Sequence, residues 1–162
     1  MSATPVARFP VAVMMTRKVI SGSGWSRPSW QAVGVLSGSQ FADGGRSRTL
    51  VRDVDGVQHF LFRGYFVDLF RDAVETYWWN LTGTRPSLFV ICDREEGDEL
   101  APSMVTPDHE AAQAAAERDA EAFAVAIPPE IHAELERVVM EHYRPEPPRK
   151  RKQHKLLKEE DQ

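Results

Sequence analysis

The sequence predicts an α+β fold: a mostly antiparallel sheet of about six strands, barrel-like if it curls far enough, followed by two C-terminal helices and a basic tail. Three observations carry this. Apolar residues alternate with period two through much of residues 8–92. An Asp-Gly pair separates two runs rich in β-branched and aromatic residues. Beyond residue 105 the apolar spacing becomes helical.

The first strand is expected at 8–16, where Phe9, Val11, Val13 and Met15 alternate with Pro10, Ala12, Met14 and Thr16. Pro10 has no N–H to give a ladder, which suits an edge or a strand start. Ser21-Gly22-Ser23-Gly24 reads as a flexible connection, 30–36 as a second strand and 37–48 as a loop. Strands at 49–54 and 57–62 flank Asp55-Gly56, two residues that tolerate the positive φ of a tight hairpin turn. Gly64 should interrupt, leaving Tyr65, Val67 and Leu69 on one face of a further strand. Residues 77–82 and 88–92 read as a last pair joined by a turn at 83–86, and 72–76 as either a helical turn or a bulged continuation.

Residues 93–102 read as an acidic loop, with a short strand at Met104 and Val105. Thr106 suits an N-cap and Pro107 the first helical position, where a missing N–H costs nothing. The Ala-rich stretch 109–122 then has high helix propensity. Pro128 and Pro129 open a second helix at 130–143, which should dock on the sheet by its Ile131, Leu135 and Val138 stripe. Pro145, Pro147 and Pro148 end it. The expected organisation is one domain over 8–143, then a Pro-rich exit and basic, disordered tail over 144–162.

The formal charge of −4 conceals three blocks: 10 basic and 6 acidic residues in 1–92, 4 and 15 in 93–148, and 6 and 3 in 149–162. The dense negative block argues against a general DNA-binding body. No run approaches the roughly 20 apolar residues of a membrane span, and no basic-then-apolar leader opens the chain. With Cys92 as its one cysteine, the chain is expected to be reduced and cytoplasmic.

Chemistry-bearing patterns are few. Gly22-Ser23-Gly24 and Gly44-Gly45-Arg46-Ser47 lack the strand-to-helix setting and lysine of a phosphate loop. The five histidines show no ligand spacing, and His132 with Glu136 makes only a helix-surface pair. Cys92 ends an apolar run and reads as core. No catalytic, cofactor-binding or metal residue is therefore predicted, and no cofactor.

The aromatic run Tyr77-Trp78-Trp79 is more informative, because in a strand Trp78 and Trp79 must face opposite ways. The outward one either meets a partner or packs beneath the C-terminal helices. Arg149, Lys150, Arg151, Lys152 and Lys155 read as a docking arm, its expected target an acidic protein surface, RNA or anionic lipid. A protein partner, such as a client enzyme or another accessory protein, is the leading expectation. The alternative is a nucleic-acid (RNA) module using the tail together with Arg46, Arg48, Arg52 and Arg63 on one aromatic face. An enzyme would need a pocket gathering His59, Asp68 or Cys92.

Four stretches together resemble a known family: Arg8-Phe9-Pro10-Val11-Ala12-Val13-Met14-Met15; Trp30-Gln31-Ala32-Val33-Gly34-Val35; Tyr77-Trp78-Trp79-Asn80-Leu81-Thr82; and Ile127-Pro128-Pro129-Glu130-Ile131-His132 leading to Glu141-His142-Tyr143-Arg144-Pro145-Glu146-Pro147 and the basic run. The chain resembles an uncharacterised proteobacterial domain family of unknown function, often encoded beside molybdenum-dependent formate dehydrogenase and its accessory proteins. The resemblance implies a role beside that enzyme, in its assembly or maturation, and carries over no catalytic residues. The expectation of a non-enzymatic, partner-binding accessory protein comes from the lack of a catalytic constellation in the sequence.

Overall fold

Val11, Val13 and Met15 alternate inward on the first strand as their spacing requires, all three fully buried. That strand, β1 (Ala7–Ser21), lies between β2 (Ser26–Ser37) and β4 (Val57–Leu69), and β3 (Ser47–Val54) pairs with β4 on its far side. All three pairings are antiparallel. Asp55 and Gly56, both at positive φ, make the β3–β4 turn as expected. A second antiparallel sheet has β5 (Leu88–Glu95) between β6 (Glu99–Thr106) and β7 (Glu121–Val125). Three helices complete the fold: α1 (Val74–Leu81), α2 (His109–Glu117) and α3 (Pro129–His142). The computed structural model describes residues 4–21 and 26–144.

Every pairing in the first sheet carries a register shift, and on β2 and β4 the shift keeps the buried residues on the inner face. The β1–β2 register shifts between Met14 and Met15, which throws Val33 outward at 56% exposure while Trp30, Ala32 and Val35 stay buried. On β4 the buried residues run Phe60, Phe62, then Tyr65, Val67 and Leu69. Their parity changes at Gly64, whose φ is +93. Gly64 therefore does not separate two strands; it bends one long strand.

The two sheets meet face to face over one core, where Cys92 Sγ of β5 lies 3.9 Å from Met15 Sδ of β1. β6 comes against β4 and β7 against β2, but no ladder joins them. The barrel-like alternative is thus corrected to two sheets, open at both seams. At one end the β5–β6 turn docks on the first sheet. Glu99 receives Arg17 at 3.3 Å and Arg48 at 2.8 Å, and Trp30 Nε1 donates to the Asp98 carbonyl at 3.2 Å. α3 closes the core with Ile131, Leu135 and Val138, all fully buried. Each such side chain contributes about 1.5–3 kcal/mol.

Other corrections have local causes. Residues 93–102 are not a loop, because β5 runs to Glu95 and β6 starts at Glu99, with Gly97 and Asp98 at positive φ between them. The N-cap of α2 is Asp108 rather than Thr106: Asp108 Oδ1 accepts the Glu110 N–H at 2.9 Å, and Thr106 Oγ1 accepts the Asp108 N–H at 3.1 Å. α2 stops at Glu117 although alanines continue. Ala120 N–H reaches the Ala115 carbonyl at 2.9 Å and Asp119 takes φ +65, a Schellman ending with Asp where glycine is usual. This frees 121–125 to form β7. Among the described residues no helix is long and apolar enough to cross a membrane.

Candidate functional site

The stretch 77–82, expected as a strand, belongs to α1, and this changes what its aromatics can do. Val74, Tyr77 and Leu81 fall at helical spacing and turn inward, the first two buried and the third partly so. Tyr77 is pinned because its hydroxyl accepts the Phe70 N–H at 3.0 Å, and burial pushes that phenol up to about 12. Asn80 ties the helix to its neighbours: Nδ2 donates to the Ser87 and Pro107 carbonyls, each at 2.8 Å, and Oδ1 accepts the Ser87 N–H at 3.0 Å. Thr82 Oγ1 then donates to the Trp78 carbonyl at 2.8 Å, at the end of the helix.

With Tyr77 inward, Trp78 and Trp79 both emerge instead of splitting between two faces. Trp78 stacks on Tyr143 at the C-terminus of α3, ring centroids 5.3 Å apart and 19° from parallel. Packing against a C-terminal helix is thus realised for Trp78 in part. Trp79 remains 59% exposed. One turn before Tyr143, Met140 is 80% exposed. Neither Met140 nor Tyr143 was expected at the site. The signal for Met140 was an apolar residue off the buried stripe of an otherwise charged helix. Glu75 shares the outer face of α1 with both tryptophans at three- and four-residue spacing, and Glu136 precedes Met140 by four on α3. The surface is aromatic at its centre and acidic at its edge.

The other candidate groups do not converge. His59 and Asp68 sit on the outer face of β4, nine residues apart, about 30 Å of extended strand. Cys92 points the opposite way, into the core. Arg46 and Arg48 serve the inner face of the first sheet, over Tyr65 at 4.4 Å and Phe60 at 4.7 Å. Arg63 and Arg52 register on the outer face, Arg63 over Phe41 at 5.3 Å. These four arginines are divided between two faces. Among the described residues no group of three or more His, Cys, Asp or Glu side chains is placed to hold a metal ion. His132 and Glu136 meet at 3.8 Å on the surface of α3. Arg149, Lys150, Arg151, Lys152 and Lys155 lie outside the described residues.

Burial pushes the Cys92 thiol up from 9.0 to about 12. The native protein should therefore react with a disulfide reagent at pH 8 far more slowly than the denatured chain, which thiol release would measure. The sign for stability follows. The unfolded thiol ionises near 9.0 and the folded one near 12, so this group's contribution is present below pH 9 and is lost as pH rises between those values.

Residues 10–152 match the family described as "Protein of unknown function (DUF3305)", and the chain belongs to it. No curated protein and no solved structure matches the chain.

Proposed function

We propose that this member of the family is a non-enzymatic accessory protein that binds a protein partner through the α1–α3 aromatic surface. The observation that carries the reading is Trp79, held 59% exposed on a helix that its neighbours Tyr77 and Asn80 fix in place. A large rigid ring presented this way costs little entropy on binding, and such residues dominate interface energetics. The separation of His59, Asp68 and Cys92 supports a binding role over a catalytic one. The basic arm would steer the protein toward an acidic surface on the same partner. The finer assignment, to maturation of a molybdenum-dependent formate dehydrogenase, rests on the family resemblance.

The test is co-purification of the tagged full chain with the formate dehydrogenase catalytic subunit from a native host, beside the Trp79→Ala variant. Recovery of the subunit should fall at least about tenfold, as for removal of an interface hot spot. The variant's melting temperature should stay within about 2 °C, because the ring is already largely in water. Recovery unchanged in Trp79→Ala would remove the surface from the reading. Failure of the wild-type chain to recover the subunit would remove the formate dehydrogenase assignment.

A further inference from the structure

We infer that the basic segment 149–158 of this same chain docks on the α1–α3 aromatic surface in the unbound protein, occupying in cis the site that a partner takes. The inference rests on the reading of that surface as a docking site and names its resident occupant. The first support is where the chain leaves the described structure. Tyr143 is itself part of the surface, stacked on Trp78, and Arg144 is the last described residue. Residue 149 is six positions beyond Tyr143, a reach of up to about 20 Å. α1, with its eight residues, is only about 12 Å long, so the whole surface lies within the tether.

Charge complementarity is the second support. Segment 149–158 carries six Lys and Arg side chains and no carboxylate. Facing them, residues 71–82 and 129–144 carry six carboxylates against three arginines. Arg137 is already committed within α3, ion-paired with Glu134 and, at 3.0 Å, with Glu141. Glu75, three and four residues before the tryptophans on α1, is placed to receive a cation, and Glu136, four residues before Met140, has only His132 beside it, at 3.8 Å. Leu156 and Leu157 supply the aliphatic side chains that exposed Trp79 and Met140 would cover. A second copy offers a poorer fit, since the acidic margins of two α3 helices repel. Tethering raises the effective concentration of the segment far above that of any free competitor.

Acrylamide quenching of tryptophan fluorescence tests this on the full chain. The comparison is with a variant carrying glutamine at positions 149, 150, 151, 152, 155 and 158, each protein with and without Trp79→Phe. At low salt the quenching constant of the neutralised variant should exceed that of wild type by about twofold, because a tethered segment is mostly docked. About 0.5 M salt should raise wild type to the same level, since screening removes exposed charge contacts. Trp79→Phe should abolish most of the difference. A synthetic 145–162 peptide added to the neutralised variant should restore protection. Equal quenching of wild type and the neutralised variant at low salt would overturn the inference, as would a difference that survives Trp79→Phe. Neither result touches the co-purification test, so the two claims fail separately.

Discussion

Replacing Gly64 by alanine should lower the melting temperature by about 10 °C, the combined result of backbone strain and of a clash that cannot relax. Gly64 sits at φ +93 where β4 bends, and a Cβ there would lie 2.6 Å from Arg46 Cα and 2.7 Å from Arg46 N. Both are backbone atoms of the chain entering β3, so no side-chain rotation makes room. Positive φ alone costs about 1 kcal/mol in a non-glycine residue, and forcing the neighbouring backbone aside adds about 1–3 kcal/mol. The matched control is Gly56→Ala in the hairpin turn. Gly56 has φ +78, yet nothing stands within 4 Å of the added Cβ, so only the conformational cost applies. Thermal denaturation of the two variants should rank Gly64→Ala well below Gly56→Ala. Equal losses would mean that the β4 bend does not depend on close approach to Arg46.

The same bend marks where sequence reasoning loses the fold. Period-two alternation finds β1 and β2 because each buries one face, and a half-buried strand writes its geometry into the chain. The hairpin is found instead by its Asp55-Gly56 turn, β3 being exposed throughout. A bulge breaks the count without ending the strand, so Gly64 reads as an interruption when it is a phase change. Glycine in a strand pattern permits either reading, and only the pairing of Val11 with Tyr65 and Val13 with Phe62 decides between them. β7 is hidden for another reason. Its residues Glu121-Ala122-Phe123-Ala124-Val125 continue an alanine-rich helix, and the stop signal is Asp119, not glycine.

At the surface, the sequence marks Trp78 and Trp79 as partner candidates, but through the alternation of a strand, and the segment is a helix. Aromatic residues favour strands in isolation; here the tertiary bonds of Tyr77 to Phe70 and of Asn80 to Ser87 and Pro107 select a helix. That substitution of helix for strand moves both rings to the outside. Tyr143 could not be foreseen, since the stack depends on the meeting of α1 and α3, elements some sixty residues apart.

Leu135→Ala should cost about 2–5 kcal/mol, the usual range for emptying a fully buried leucine site. Leu135 is 0% exposed at the centre of the α3 stripe, between Ile131 and Val138, and this stripe closes the core over both sheets. Urea denaturation at constant slope would measure the loss. Met140→Ala on the same helix, at 80% exposure, should stay within about 0.5 kcal/mol, because its side chain already faces water. The contrast separates two roles on one helix. Leu135 holds α3 on the sheets, and through α3 it holds Tyr143 against Trp78; Met140 contributes only surface. A chain loosened at Leu135 should therefore lose stability and the orientation of Trp78 together, whereas Met140→Ala should weaken partner recovery with the melting temperature unchanged. If Leu135→Ala proved as mild as Met140→Ala, α3 would not be part of the core, and the surface it helps to build would have no rigid support.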